Sequence, residues 1–317
     1  MTRGKLVAAC LACLPACPLL AQSGASPFLT IPVDARSSGM GGTGVALARG
    51  SFIAFHNPAA LPFATGRGGA GDSHTPWLPA WLPGAFLNAA GGYYRLDERH
   101  GVAAGFRYFS LPGGPGRDDR ATPSRALHPA EWAAEAAYAR RLSANAGASL
   151  AARYTRSDMG ERAAGAATFD AKLFYRAAFH PLAGATWAAG LGLNNVGGKI
   201  KYAGKAYALP AWVTLGGALS LPFSPRHELH GAVDLAYHFL PAGEPLLETA
   251  IGAEYLFLSR GSLRAGYHAG NGGKEKNRAT LGCGLHVAPA SCHFAYWITS
   301  PSSPLRNTWS LSVEVTL

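Results

Sequence analysis

Asn307-Thr308-Trp309-Ser310-Leu311-Ser312-Val313-Glu314-Val315-Thr316-Leu317 carries the pattern on which the fold turns. Trp309, Leu311, Val313, Val315 and Leu317 occupy one register, and Thr308, Ser310, Ser312, Glu314 and Thr316 fill the other. Successive side chains of a strand point to opposite faces, so this segment has one apolar face and one polar face. An amphipathic strand of about eleven residues that ends on an apolar side chain is what closes an outer-membrane barrel. An edge strand of a soluble sandwich would look the same, so the rest of the chain has to decide.

The pattern recurs upstream. Val102, Ala104, Phe106 and Tyr108 alternate with Ala103, Gly105 and Arg107, and Trp132, Ala134, Ala136 and Tyr138 with Ala133, Glu135 and Ala137. Similar runs cover Ala146 to Tyr154, Phe169 to Tyr175, Leu229 to Tyr237, Thr249 to Phe257 and Ala279 to Val287. With weaker segments included, strands are expected near 64–75, 86–96, 100–110, 131–141, 145–156, 167–178, 184–194, 212–222, 227–238, 247–257, 261–270, 277–288, 291–299 and 307–317. That is about fourteen, an even number, as bacterial barrels have. Ten residues at about 3.3 Å rise and about 45° tilt span roughly 23 Å, close to the apolar band of an outer membrane. The expected connections alternate short and long, as a membrane meander requires with short turns on the periplasmic side and longer loops outside. The fold expected is an all-β transmembrane up-and-down β-barrel.

The polar register carries Arg107, Glu135, Arg153, Asp170, Lys172, Arg176, Asp234, Glu254, Arg264 and Arg278, expected to face the lumen. Their mixed signs point to a salt-bridged filling more than an open ion pore. Tyr108, Tyr138, Tyr154, Tyr175, Tyr237 and Phe257 fall near strand ends, where interfacial girdles belong.

Composition agrees with this reading. Of 317 residues, 48% are hydrophobic and 15% charged, with mean hydropathy +0.06. That is too apolar for disorder and too dilute for a helical membrane protein. Arg3 and Lys5, the apolar run Leu6 to Leu20 and then Ala21 read as a secretory signal over residues 1–21, cleaved after Ala21 or after Ala25. Leu14-Pro15-Ala16-Cys17 resembles a lipoprotein box with an atypical proline. Removal of the signal takes Arg3 and Lys5 away and leaves a net charge of +8. No basic cluster with interleaved aromatics accompanies that charge, so nucleic acid is not an expected partner, and anionic lipid or an acidic protein is. Cys283 and Cys292 lie in the apolar register of consecutive strands. Folding about Pro289-Ala290 sets Cys292 opposite roughly Val287, too far from Cys283 for a disulfide, so two free lipid-facing thiols are expected.

Between the signal and the barrel of residues 64–317, the segment 22–63 breaks the alternation. Gly39-Met40-Gly41-Gly42-Thr43-Gly44 lacks a preceding strand and a following Lys-Ser/Thr, so it is no phosphate loop, and no cofactor or metal site is expected. Asn57-Pro58-Ala59 reads as a turn. A glycine-rich stretch before a barrel is expected to form a plug or periplasmic lid, with Arg36, Met40, Gly41, Gly42, Asn57 and Pro58 as its marked residues. Pro76-Trp77-Leu78-Pro79-Ala80-Trp81-Leu82-Pro83-Gly84-Ala85 is expected to be an outer loop stiffened by prolines, exposing Trp77, Leu78, Trp81 and Leu82 as a partner surface or an interfacial belt. Loops 111–130 and 195–211 are second candidates.

Asp34-Ala35-Arg36, Gly39-Met40-Gly41-Gly42 and His56-Asn57-Pro58-Ala59 resemble the entry segment of FadL-like barrels, in particular the PorV family of type IX secretion. The resemblance continues through Thr75-Pro76-Trp77-Leu78-Pro79, Gly92-Tyr93-Tyr94-Arg95-Leu96-Asp97, Arg107-Tyr108-Phe109-Ser110-Leu111, Ala152 to Asp158 and Gly192 to Ile200. It implies a fourteen-stranded FadL-type barrel that is not a channel for small solutes, and no enzymatic activity is expected. Such a barrel binds C-terminal signal domains of cargo leaving the large Sov/SprA-like translocon barrel and hands them to the attachment complex containing the PorU sortase. Its remaining partners would be outer-membrane lipid and lipopolysaccharide. A FadL-like transporter of hydrophobic molecules and a lipid A deacylase are the alternatives. The first needs an apolar tunnel. The second needs a nucleophile, base and orienting group on one rim, which chance could supply from histidines such as His230, His238, His268, His286 and His293.

Overall fold

In the computed structural model, the described residues are 25–117, 123–159, 163–202, 204–242, 245–271 and 277–317. The expected signal segment with Cys17, and Asp118, Asp119 and Arg120 of loop 111–130, lie outside them. The strands are β1 (Gly68–Pro76), β2 (Phe86–Arg95), β3 (His100–Ser110), β4 (Gly114–Arg117), β5 (Pro123–Leu127), β6 (Ala130–Arg141), β7 (Ala146–Asp158), β8 (Ala163–Ala178) and β9 (Thr186–Gly197). They continue as β10 (Lys199–Tyr202), β11 (Lys205–Ala208), β12 (Ala211–Ser224), β13 (His227–Leu240), β14 (Leu246–Phe257), β15 (Gly261–Gly270), β16 (Arg278–Val287), β17 (Ala290–Ile298) and β18 (Trp309–Thr316).

Fourteen of these strands form one closed antiparallel barrel, with β18 paired to both β17 and β1. Closure abolishes sheet edges, the condition for placing strands in lipid. Alternation sets the faces as expected: Val313 and Leu311 are exposed outside, while Ser310 and Ser312 are buried inside. Tyr138, Tyr154, Tyr175 and Tyr237 are exposed on the outer surface.

Three details depart from the sequence reading. β4 pairs with β5 and β10 with β11 as separate hairpins inside connections that read as loops, because strands this short carry too few alternations to register. Loop lengths do not alternate without a break. β8 begins already at Ala163, which shortens the connection from β7, whereas residues 179–185 make a longer turn at the opposite end. Cys292 pairs with Leu285 and Cys283 with Phe294, because Val287 and Ala290 themselves pair across the turn. The two thiols are closer in register than expected, yet both are free and exposed.

Inside, residues 25–63 circle the inner wall. The chain passes from β18, where Ala35 N donates to Ser312 Oγ at 2.8 Å, to helix α1 (Ala35–Gly39) against β15 to β18. It crosses β13 at Asp234 and reaches β8 through Asn57, then turns through Pro58–Phe63 against β6, β7 and β8 and leads into β1. The wall makes room with small residues. Gly252 and Gly266 pair across β14 and β15, and an added Cβ on either would lie 2.3 Å from backbone of Met40 or Gly41. Gly41 itself has φ 74°, a conformation that suits glycine.

Replacing Gly266 by Val should therefore push the Met40-Gly41 turn off the wall while the outer ladder persists. The expected result is a heat-modifiable folded barrel on gel electrophoresis with new protease cuts within residues 25–63.

Candidate functional site: the filled lumen and the long-loop rim

A non-helical segment enclosed in a barrel cannot leave its backbone polar groups unpaired, and the inward side chains of the wall supply partners. Asp234 Oδ2 accepts from Gly44 N at 2.7 Å and Val45 N at 2.9 Å, and Glu314 Oε2 from Ser51 N at 2.6 Å. Thr280 Oγ1 accepts from Gly41 N at 2.9 Å and donates to Gly39 O at 3.0 Å. Arg107 donates to Leu29 O at 2.9 Å and Lys172 to His56 O at 2.8 Å. The charges that read as a lumen filling thus hold the N-terminal segment as well as one another.

Two ion networks dominate. Glu254, its side chain 1% exposed, meets Arg36 at 2.7 Å, Arg49 at 2.6 Å and Arg264 at 2.7 Å. On the opposite wall Arg153 bridges Glu135 and Asp170, with Lys172 and Arg107 at the ends of the chain of charges. Asn195, in a left-handed turn at φ 58°, closes that network by donating to Pro210 O and accepting from Arg153 and Thr168.

The marked residues of the N-terminal segment sit within this frame. Arg36 reaches Glu254 and Leu47 O. Met40 is buried, Gly41 and Gly42 form the turn against β14 and β15, and Asn57 caps the turn begun by Pro58. The Asn57 amide also donates to Val45 O at 2.9 Å and Leu173 O at 3.0 Å, tying two passes of chain to β8.

The two ends of the lumen differ. At the long-loop end Phe28 stacks on Phe109 at 5.9 Å, and Leu29, Ile31 and Val33 join Ile200 and Leu209 in a buried apolar cluster. At the short-turn end a cavity of about 840 Å³ is lined in part by Arg49, Arg176, Arg226, Glu228, His286 and His293. Sequence reasoning missed the apolar stopper, because the segment that supplies half of it has no periodicity.

Of Trp77, Leu78, Trp81 and Leu82 in loop 76–85, only Trp81 is exposed, at 63%. The expected exposure of the whole group is corrected for Trp77, which turns inward and meets the buried Trp297 edge-on at 6.0 Å, with Arg278 over the other ring at 4.2 Å. Leu78 and Leu82 are half-buried, because the Leu78 carbonyl accepts from Trp81 N and Leu82 N and folds the loop back on itself.

A closed, amphipathic fourteen-strand barrel occupied by its own N-terminal segment is an outer-membrane barrel of the FadL type. The fold is similar to that of the P. putida toluene transporter TodX (13% identity, TM-score 0.61, 94% of this chain and 99% of that one covered). It is also similar to the Ralstonia pickettii toluene transporter TbuX (15%, 0.54, 93% and 97%) and to a Pseudomonas aeruginosa FadL homologue (12%, 0.53, 90% and 98%). No curated protein is significantly similar in sequence. Residues 20–244 match the model of the family Type IX secretion system protein PorV, and the chain belongs to that family. It is an outer-membrane component of type IX secretion, and its family and structural neighbours are secretion and transport proteins.

Removing one member of a buried charge network leaves the others uncompensated, at a cost of about 3–5 kcal/mol. Glu254→Gln should therefore lower the unfolding midpoint in urea, measured by loss of the fast-migrating folded form. Glu228→Gln, at the cavity wall, should leave it nearly unchanged.

Proposed function

We propose that this chain is a binding and shuttling barrel, taking C-terminal signal domains of cargo from the Sov/SprA-like translocon barrel and passing them to the PorU-type attachment complex. Family membership carries the reading. The occupied lumen supports it, since a barrel filled by its own chain acts through its surfaces. Trp81 on the long-loop rim is the anchor we assign to partner contact, because an exposed tryptophan is a preferred centre of interfaces. Residues 25–63 act as a plug that keeps the lumen shut while cargo is held outside.

The apolar cluster at the long-loop end favours a second reading, uptake of hydrophobic molecules. The lumen below that cluster is charged, which opposes an apolar tunnel. A deacylase has weaker support. Ser220 Oγ lies 2.8 Å from His230 Nδ1, and Glu228 lies 3.4 Å from Nε2. Ser220 is paired in register with Thr186 and with His230, so the amides around it are spent in ladders and not aimed as oxyanion donors.

Isolation of the native complex in mild detergent tests the first reading. The translocon barrel or cargo signal domains are expected to copurify, and Trp81→Ala to weaken this several-fold with the barrel intact. Trp77→Ala is expected instead to lower barrel stability by about 3 kcal/mol through loss of its packing on Trp297. Uptake of labelled toluene into vesicles, with no loss of copurification in Trp81→Ala, would favour the transporter.

A further inference from the structure

Between its aromatic girdles, with Arg156 lying beyond Tyr154, the outer wall over β3, β6 to β9 and β12 to β18 presents Ala, Gly, Val, Leu, Ile, Phe, Tyr, Trp and Cys, with Thr249 the one aliphatic hydroxyl among the described residues. The exception is β1 with β2. Ala70, Asp72 and His74 form the outward register of β1, opposite the exposed lipid-register residues Val315, Val313 and Leu311 of β18. Asp72 is exposed and faces Ala90 of β2, midway between the levels of Tyr94 and Phe86, which mark the two interfaces. His74 Nδ1 and Asn88 Oδ1 are 2.7 Å apart, with the imidazole set between Phe86 and Trp309. Asp72 makes no hydrogen bond or ion pair among the described residues.

A carboxylate at mid-membrane depth on a lipid-facing wall is unfavourable, and polar groups at that depth mark contact with protein or water. We propose that the β1–β2 wall docks against the wall of a second membrane protein that presents a cationic or hydrogen-bond-donating side chain to Asp72. Ala70, Ala90 and Gly92 keep the surface beside Asp72 low, so a partner wall can approach closely. The surface also continues outward into the loop that joins β1 to β2 and bears Trp81, so wall and loop form one face.

A second copy of this chain does not fit. A two-fold axis along the membrane normal preserves depth, so it would set Asp72 against Asp72 and His74 against His74. The partner's identity as the translocon barrel rests on the secretion reading above. The chemistry demanded of it does not.

The test uses the full chain in cells, with a photo-crosslinking benzoylphenylalanine at Ala90 and, as control, at Leu235 on β13. Ala90 is expected to crosslink to the translocon barrel and Leu235 to give no protein adduct. Asp72→Val is expected to leave a heat-modifiable barrel but lower translocon copurification about tenfold or more, with Asp72→Asn intermediate. Equal crosslinking at both positions, lipid adducts or a homodimer at Ala90, or unchanged copurification by Asp72→Val would overturn the proposal. A crosslink at Ala90 to a different, identified membrane protein, lost in Asp72→Val, would leave the docking wall standing and sink the shuttle reading.

Discussion

The structure depends on how a stretch of irregular backbone is satisfied inside a sealed cylinder. Barrel strands spend their own amides and carbonyls on one another. Residues 25–63 have little regular structure with which to do the same, so Asp234, Glu314, Ser312 and Thr280 take up their amides, and Arg107, Lys172 and Arg36 take up their carbonyls. The charged lumen is in this sense a complementary mould for the N-terminal segment. A buried ion pair is a weak source of stability by itself, but one that orders a second chain segment has a structural task.

Room for that segment comes from the same strands. Alternation lets each strand present an apolar outer register to lipid and choose its inner register freely. The inner register uses the freedom in two ways, as charge where the segment offers polar backbone and as glycine where it must approach the wall. Gly252 and Gly266 allow contacts with Met40 and Gly41 that any larger residue would block, and Gly282 lies close against Gly39. The outcome is a barrel asymmetric along its axis, closed by Phe28, Phe109 and their neighbours at the long-loop end and hollow at the other.

Much of the barrel was legible in the sequence, and the limits of legibility follow from period. Strands such as β13 and β14, with ten or more alternating residues, could be placed within a few positions. β4, β5, β10 and β11 could not, because four or five residues hold too few alternations. The first expected barrel strand, near 64–75, is not among the clear alternating runs, and its outward register explains why: Asp72 and His74 stand where an apolar residue would have made the pattern plain. Trp77 and Trp81 are equivalent in composition and four residues apart, yet one is packed on Trp297 and the other is exposed. Nothing local distinguishes them, since Trp297 lies more than two hundred positions away in the chain.

The sequence by itself determined the number of barrel strands, the meander, the lipid-facing register and the charged character of the lumen, because each is written in a two-residue period that a strand converts directly into faces. Tertiary structure alone decided what the charges hold, which end of the lumen is shut and which tryptophan faces outward. These follow from closure, which brings residues such as Ala35 and Ser312, or Ser51 and Glu314, within hydrogen-bonding distance across nearly the whole length of the chain.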